Sequence, residues 1–261
     1  MHPHHQSMID RLVERYRDDE NVLALVLVGS VARGDARPDS DVDCMMIVTD
    51  DEYQWCENAY RMSFSADDLC DYPDGHAGGG IHPLHHLHRI ADRGPEPVRF
   101  MTSGARPILS RVRGLEELLA RCSIYPERER TQKMMSFVSQ LPVHLSYLEL
   151  GEYSRNRYLL AETAVKLVLF GGRLILAHNR MLYPGRKWFM RELGRAPEKP
   201  DGIVDSALTL TASPSIAKAR EFVETVMTFR DWPKPPEGYW DRYRRDSEAT
   251  WITGRGPLED C

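Results

Sequence analysis

Four residues near the amino terminus have the types and the spacing for phosphate and metal chemistry. Gly29 and Ser30 end a continuous apolar run, and Asp41 and Asp43 follow after a polar spacer. A glycine at the end of a buried strand lets backbone amides approach a ligand, because no Cβ intervenes. If a helix begins there, the field at its amino end favours a bound phosphate.

The two aspartates lie two residues apart in a stretch with the pattern of a strand. Because side chains alternate along a strand, Asp41 and Asp43 would share one face, and Val42 and Cys44 would point to the other. Two neighbouring carboxylates repel each other unless a cation lies between them. Oxygen ligands suit Mg²⁺, which also binds substrate phosphates. Together with the phosphate-binding turn, the pair indicates phosphoryl or nucleotidyl transfer.

Two neighbouring strands are needed to bring these residues together. Residues 22–28 form a short continuous apolar run, as expected of a buried strand, and residues 41–48 predict a second strand. Downstream, residues 97–101 and 106–109 resemble the two strands of a hairpin, and the glycine run at 78–80 is expected to break regular structure. Strands and helices therefore alternate in this part of the chain, which indicates a mixed sheet covered by helices.

From Tyr125 onwards the pattern changes to long helical stretches. Apolar spacing and start signals predict helices at about residues 127–150, 156–178, 185–194, 202–210 and 214–230. We therefore predict an α+β protein of two domains. Residues 1–125 would form a catalytic domain, and residues 126–261 a helical-bundle domain that binds the acceptor substrate.

Composition excludes several classes of protein. The 261 residues are 42% hydrophobic with a net charge of −5, which argues against disorder and against a basic nucleic-acid-binding protein. No run reaches the ~18 to 20 apolar residues of a membrane span. The five cysteines show no CxxC spacing, which disfavours a disulfide scaffold or a structural zinc site. We expect a cytoplasmic protein whose partners include neither a membrane nor long nucleic acid.

The Gly-Ser turn, its spacer and the Asp-x-Asp pair resemble the signature of the DNA polymerase β-like nucleotidyltransferase superfamily. The fuller pattern over residues 29–43, GSxARGxxxxxSDxD, is similar to the small-substrate branch that includes kanamycin and lincosamide nucleotidyltransferases. The resemblance implies a nucleoside triphosphate donor, two Mg²⁺ ions and a small hydroxyl-bearing acceptor. It also allows a homodimer, since antibiotic-modifying relatives can place a site at a subunit boundary.

The resemblance also implies roles for individual residues of this chain. Gly29 and Ser30 would hold the terminal phosphates of the nucleotide, and Asp41 and Asp43 would be catalytic residues that bind the Mg²⁺ ions. Further nucleotide-binding candidates, which would shape the loop or reach the triphosphate, are Arg33, Ser40 and Lys187.

The superfamily usually has a third metal-binding carboxylate on a later strand. This chain offers Asp71, between Cys70 and Tyr72. By its position before the next helix, however, His82 is the better match, and imidazole is a poorer ligand for Mg²⁺ than an oxygen anion. Either Asp71 is the third metal ligand, or the site has two carboxylates.

A general base must accept the proton of the attacking hydroxyl. In kanamycin-type enzymes this base is a glutamate of the helical domain, and by position the candidates here are Glu149 and Glu152. The apolar and aromatic neighbours of Glu149 favour it as the catalytic base.

The sequence thus predicts Mg²⁺-dependent transfer of a nucleoside monophosphate to a hydroxyl of a small molecule, of the aminoglycoside or lincosamide kind. Two alternatives remain. The acceptor could be a protein or an RNA end, or the chain could be a regulator that binds a nucleotide without turnover.

Overall fold

The computed structural model describes residues 1–73, 75–254 and 258. Contacts within the chain divide it into two units, Met1–Ile124 and Tyr125–Cys261. The strands of the first unit are β1 (Val22–Leu27), β2 (Val42–Val48), β3 (Ser63–Ser65), β4 (Ala77–Pro83) and β5 (Arg106–Ser110). Its α-helices are α1 (Pro3–Tyr16), α2 (Gly29–Arg33), α3 (Asp50–Asn58), α4 (Leu84–Arg93), α5 (Glu96–Met101) and α6 (Leu115–Cys122).

The described residues of the first unit form a five-stranded mixed sheet in the order β3-β4-β2-β1-β5. Strand β1 is antiparallel to both β2 and β5. Strand β2 is parallel to β4, which is antiparallel to β3. A mixed sheet with flanking helices, followed by a helical unit, confirms the predicted α+β class.

Alternation along β2 sends its side chains into two different cores. Val42 and Cys44 pack in one cluster with Met8 and Leu12 of α1. On the opposite face, the core residues are Met45 and Ile47 of β2 with Leu87 of α4 and Leu118 and Leu119 of α6. The sheet is therefore covered on both sides, and the strand that carries the aspartates is fixed by apolar burial.

Two local predictions were wrong. Residues 97–101 form helix α5 instead of a strand, and Pro97 stands in its first turn, where the missing amide hydrogen costs nothing. Strand β5 pairs with β1 instead of closing a hairpin. The glycine run at 78–80 does not break regular structure but lies inside β4. There β2 comes so close that a Cβ at Gly79 would lie 1.8 Å from the carbonyl oxygen of Cys44, so the strand needs glycine at this position.

The second unit is helical over its described residues, as predicted. Its α-helices are α7 (Arg130–Tyr153), α8 (Arg157–His178), α9 (Phe189–Arg195), α10 (Ile203–Ala212), α11 (Ile216–Phe229), α12 (Tyr239–Tyr243) and α13 (Thr250–Thr253). Short 3-10 turns at Glu127–Glu129 and Arg186–Trp188 precede α7 and α9. None of the described helices combines the length and the apolar character needed to cross a membrane.

Close packing of α8 against α9 depends on a glycine, and we expect Gly172→Ala to destabilise the protein. A Cβ at position 172 would lie 2.4 Å from Cζ of Phe189, whose ring is itself held edge-on by Tyr183 at 5.2 Å. Overpacking of this kind costs about 1–3 kcal/mol, against a gain of about 1 kcal/mol in helix propensity. Urea unfolding measures the difference.

The matched control is Gly194→Ala, a second helical glycine, where the nearest atom to a Cβ is Val204 Cγ2 at 3.7 Å. This change should leave the free energy of unfolding unchanged or raise it. Equal effects of the two substitutions would contradict the packing argument.

Candidate active site

The turn between β1 and α2 brings its backbone against the strand that carries the aspartates. Val28 is extended, Gly29 has φ +70°, and α2 begins at once. The amide of Val28 donates a hydrogen bond to the carbonyl oxygen of Asp43 at 2.9 Å. A Cβ at position 29 would lie 2.2 Å from Oδ2 of Asp43. Glycine is therefore required at this position by both conformation and space.

The loop between α2 and β2 is organised around Ser40. Helix α2 ends at Arg33 and is followed by its capping residue Gly34, which has φ +79°. The hydroxyl of Ser40 accepts a hydrogen bond from the amide of Arg37 at 2.9 Å, and the Ser40 amide donates to the Arg37 carbonyl at 3.1 Å. Ser40 thus shapes the turn that leads directly into Asp41, and its role toward a nucleotide stays a prediction.

Asp41 and Asp43 flank the first residue of β2, and both side chains are exposed to solvent. Val42 and Cys44, between and after them, are buried. This is the alternation that the sequence predicts. Burial and the negative charge of Asp43 raise the pKa of the Cys44 thiol to about 12, so this cysteine stays protonated and is not a nucleophile at neutral pH.

The structure does not group Asp71 with the two aspartates as a metal site. Among the described residues, no set of three His, Cys, Asp or Glu side chains is arranged to hold a metal ion. Asp71 instead forms an ion pair with Arg11 at 2.6 Å. The role of Asp71 as a third metal ligand stays a prediction.

His82 is also displaced from the aspartate pair. In the parallel register of β2 and β4, Gly78 lies opposite Asp43, and His82 lies opposite Ile47, four residues further along. At about 3.3 Å per residue this is roughly 13 Å along the strand. Burial and the neighbouring His86 lower the pKa of His82, so its imidazole is neutral. The strand position beside Asp43 therefore carries no carboxylate.

Arg33 packs inside the first unit. Its guanidinium lies over the ring of Phe100 of α5 at 4.8 Å, and its Nε is 3.9 Å from Asp35. The side chain is largely buried, at 11% exposure. These contacts tie α2 to α5 and support a role in shaping the loop, whereas a direct contact of Arg33 with nucleotide stays a prediction.

The remaining candidates lie in the second unit. Glu149 of α7 accepts two hydrogen bonds at Oε1 from Arg220 of α11, the shorter at 2.8 Å. Glu152 accepts from the amide of Ile216 at 2.6 Å and so caps α11. Both carboxylates thus have partners on α11, and the role of Glu149 as a base stays a prediction.

Lys187 is exposed and lies over the ring of Trp188 at 5.2 Å. Arg191 lies over the same ring at 4.1 Å. Lys187 thus lies in a basic turn beside an aromatic ring, and its contact with a nucleotide stays a prediction.

Sequence reasoning missed two residues beside the motif. His4 of α1 donates a hydrogen bond to the carbonyl oxygen of Pro38 at 2.8 Å, and the hydroxyl of Tyr72 donates to the carbonyl oxygen of Ser40 at 3.1 Å. Each contact joins residues more than thirty positions apart, so no local spacing could reveal it.

A mixed sheet with a Gly-Ser turn against an Asp-x-Asp strand defines a nucleotidyltransferase type of catalytic domain. Residues 9–149, more than half of the chain, match the family model of the nucleotidyltransferase domain, and the chain belongs to this family. The chain is also similar to a solved structure of a nucleotidyltransferase-like protein from Exiguobacterium sibiricum, with 12% sequence identity and a TM-score of 0.47. The similarity covers 85% of this chain and 73% of that protein's chain. No curated protein matches the sequence.

Proposed function

We propose that this nucleotidyltransferase moves a nucleoside monophosphate from a nucleoside triphosphate to a hydroxyl of a small molecule and releases pyrophosphate. The observation that carries the proposal is the close approach of the Gly29 backbone to the carboxylate of Asp43. It supports a site where phosphate and a divalent cation bind side by side, with Asp41 as the second carboxylate.

The two aspartates fit Mg²⁺. This ion commonly takes one or two protein carboxylates and completes its coordination with waters and substrate phosphates, so a third protein ligand is not required. The exposure of both carboxylates leaves them accessible to an incoming metal–nucleotide complex. When bound, Mg²⁺ would supply positive charge that stabilises the attacking and leaving oxygens.

The protein's own groups would bind, orient and accept a proton. The amides of Gly29 and Ser30 would hold the terminal phosphates. The acceptor oxygen forms a bond to the α-phosphorus, the bond to the pyrophosphate oxygen breaks, and the acceptor proton passes to a base. We assign this base to Glu149, with Oε1 held by Arg220 and Oε2 taking the proton.

A small acceptor of the aminoglycoside or lincosamide kind agrees with the charge of the chain. A net charge of −5 favours a cationic small molecule over long nucleic acid. One observation favours the alternative of a nucleotide-binding regulator without turnover: the strand position opposite Asp43 is Gly78 instead of a carboxylate.

The two functions are separated by one experiment. The protein is incubated with the four nucleoside triphosphates, Mg²⁺ and a panel of hydroxyl-bearing acceptors. Pyrophosphate release is followed, and products are identified by mass spectrometry. A small molecule heavier by one nucleoside monophosphate supports transfer. Nucleotide binding without pyrophosphate would support the regulator, and label on protein or RNA would reject a small acceptor.

Glu149→Gln tests the assignment of the base. The substitution keeps the shape of the side chain and removes its capacity to take a proton, so we expect kcat to fall by about 10²–10⁴-fold with little change in KM for the nucleotide. Steady-state kinetics at saturating Mg²⁺ measure both parameters. Glu152→Gln is the control and should keep nearly full activity, since its carboxylate caps α11. If Glu149→Gln is as active as Glu152→Gln and the wild type, Glu149 is not the base.

A further inference from the structure

The loop that precedes the aspartate pair is held from outside the motif. The carbonyl oxygen of Pro38 accepts a hydrogen bond from Nε2 of His4, and the carbonyl oxygen of Ser40 accepts one from the hydroxyl of Tyr72. The distances are 2.8 and 3.1 Å. The Ser40 carbonyl belongs to the peptide group that joins Ser40 to Asp41, so the Tyr72 hydrogen bond fixes the orientation of the peptide on which Asp41 begins.

The two donors support each other through aromatic contacts. The rings of His4 and Tyr72 are 4.5 Å apart, and His5, which is fully buried, lies 5.7 Å from Tyr72 and 4.3 Å from His4. Gly75 also lies close to the Tyr72 ring, since a Cβ at position 75 would lie 2.6 Å from Cε2. The tyrosine therefore has little freedom to leave its position.

Helix α1 and the segment around Tyr72 are joined by further contacts. Arg11 donates to the carbonyl oxygen of Leu69 at 2.7 Å and pairs with Asp71 at 2.6 Å. The Sγ of Cys70 lies 3.9 Å from the Sδ of Met8. His4 and Tyr72, which donate hydrogen bonds to the loop, thus belong to two segments that contact each other directly.

The Tyr72 hydroxyl carries its hydrogen at neutral pH, as an ordinary tyrosine does. It can therefore donate to the carbonyl oxygen of Ser40 under the conditions of an assay.

We propose that Tyr72 is a positioning residue for the metal-binding aspartates, and that His4 steadies the same loop at Pro38. This inference rests on the proposed function. Residues that orient a metal ligand by hydrogen bonds, without touching the metal, typically contribute about 10–100-fold in metal affinity or activity. Tyr72 touches neither nucleotide nor metal in this role, since it acts through the Ser40 carbonyl.

Tyr72→Phe removes the hydroxyl and keeps the ring. We expect Mn²⁺, used as a calorimetric probe of the aspartate pair, to bind roughly tenfold more weakly. The Mg²⁺ concentration for half-maximal pyrophosphate release should rise by a similar factor. At saturating Mg²⁺, the kcat of the variant should lie within about threefold of the wild-type kcat. Tyr60→Phe is the matched control, because Tyr60 is 94% exposed in the same unit.

His4 provides a second pair of variants that does not depend on the tyrosine. His4→Gln retains a donor for the Pro38 carbonyl and should bind Mn²⁺ more tightly than His4→Ala. Unchanged Mn²⁺ affinity and unchanged Mg²⁺ dependence in Tyr72→Phe would overturn the positioning role. Wild-type protein that binds no Mn²⁺ would overturn the metal site and this inference together. Metal binding that depends on Tyr72, without any transfer, would sustain the inference and reject the proposed transferase activity.

Discussion

Asp43→Asn should lower nucleotidyl transfer by about a thousandfold or more. A metal bound at the pair stabilises developing charge by several kcal/mol, and each 1.36 kcal/mol is a factor of ten in rate. Asparagine has the size of aspartate, and the side chain is exposed in the strand, so the fold should persist. Pyrophosphate release at saturating nucleotide and Mg²⁺ measures the loss, and thermal unfolding verifies that the variant is folded.

Asp39→Asn is the matched control for this substitution. Asp39 lies on the same loop, and its carboxylate is paired with Arg37 in solvent. Exposed ion pairs contribute little to stability, so this variant should retain wild-type activity. Loss of activity in Asp39→Asn to the same degree would mean that net charge, and not ligation at position 43, controls the reaction. Full activity of Asp43→Asn would refute the metal-pair mechanism.

The centre of the site was predictable from the sequence because it depends on local rules. An apolar run that ends at Gly29 predicts a buried strand followed by a tight turn. Two-residue alternation predicts that Asp41 and Asp43 are exposed, with Val42 and Cys44 buried. Each of these features depends on neighbours within a few positions, and the structure shows all of them.

The position of β4 was not predictable, because it depends on contacts between distant segments. Three consecutive glycines disfavour a strand by propensity. In this sheet the close approach of β3 requires glycine, because a Cβ at Gly78 would lie 2.3 Å from the carbonyl oxygen of Phe64. The register of β4 against β2 in turn places Gly78 opposite Asp43, and no spacing in the sequence predicts this register.

The environment of the Glu149 side chain could not be predicted from its neighbours in sequence either. Its neighbours in sequence, Leu148 and Leu150, suggest an apolar environment, but on a helix adjacent residues point in different directions. Leu148 is fully buried, Leu150 is half exposed, and Glu149 lies on a face where Arg220 of another helix reaches it. The ionic partner is supplied by tertiary packing and leaves no trace in the local sequence.

Gly29→Ala should lower the rate of transfer by about 100-fold. The new methyl group would lie 2.2 Å from Oδ2 of Asp43, so the carboxylate or the turn must shift. A displacement of about 1 Å in a catalytic group can cost on the order of 10²-fold in rate. We expect the Mn²⁺ affinity to fall as well, since Asp43 is the group displaced. Kinetics and calorimetry measure the two effects.

Gly34→Ala separates this steric effect from backbone strain. Gly34 has φ +79°, close to the +70° of Gly29, and nothing lies within 4 Å of a Cβ at that position. Alanine in this conformation costs roughly 1–2 kcal/mol at either site, so both variants should unfold at lower urea concentrations than the wild type, and Gly29→Ala at the lower of the two because its methyl group also meets Asp43. Only Gly29→Ala should lose activity. If Gly34→Ala loses activity equally, strain in the loop is the cause. If neither does, the turn does not need to approach Asp43 for catalysis, and the observation that carries the proposed function fails.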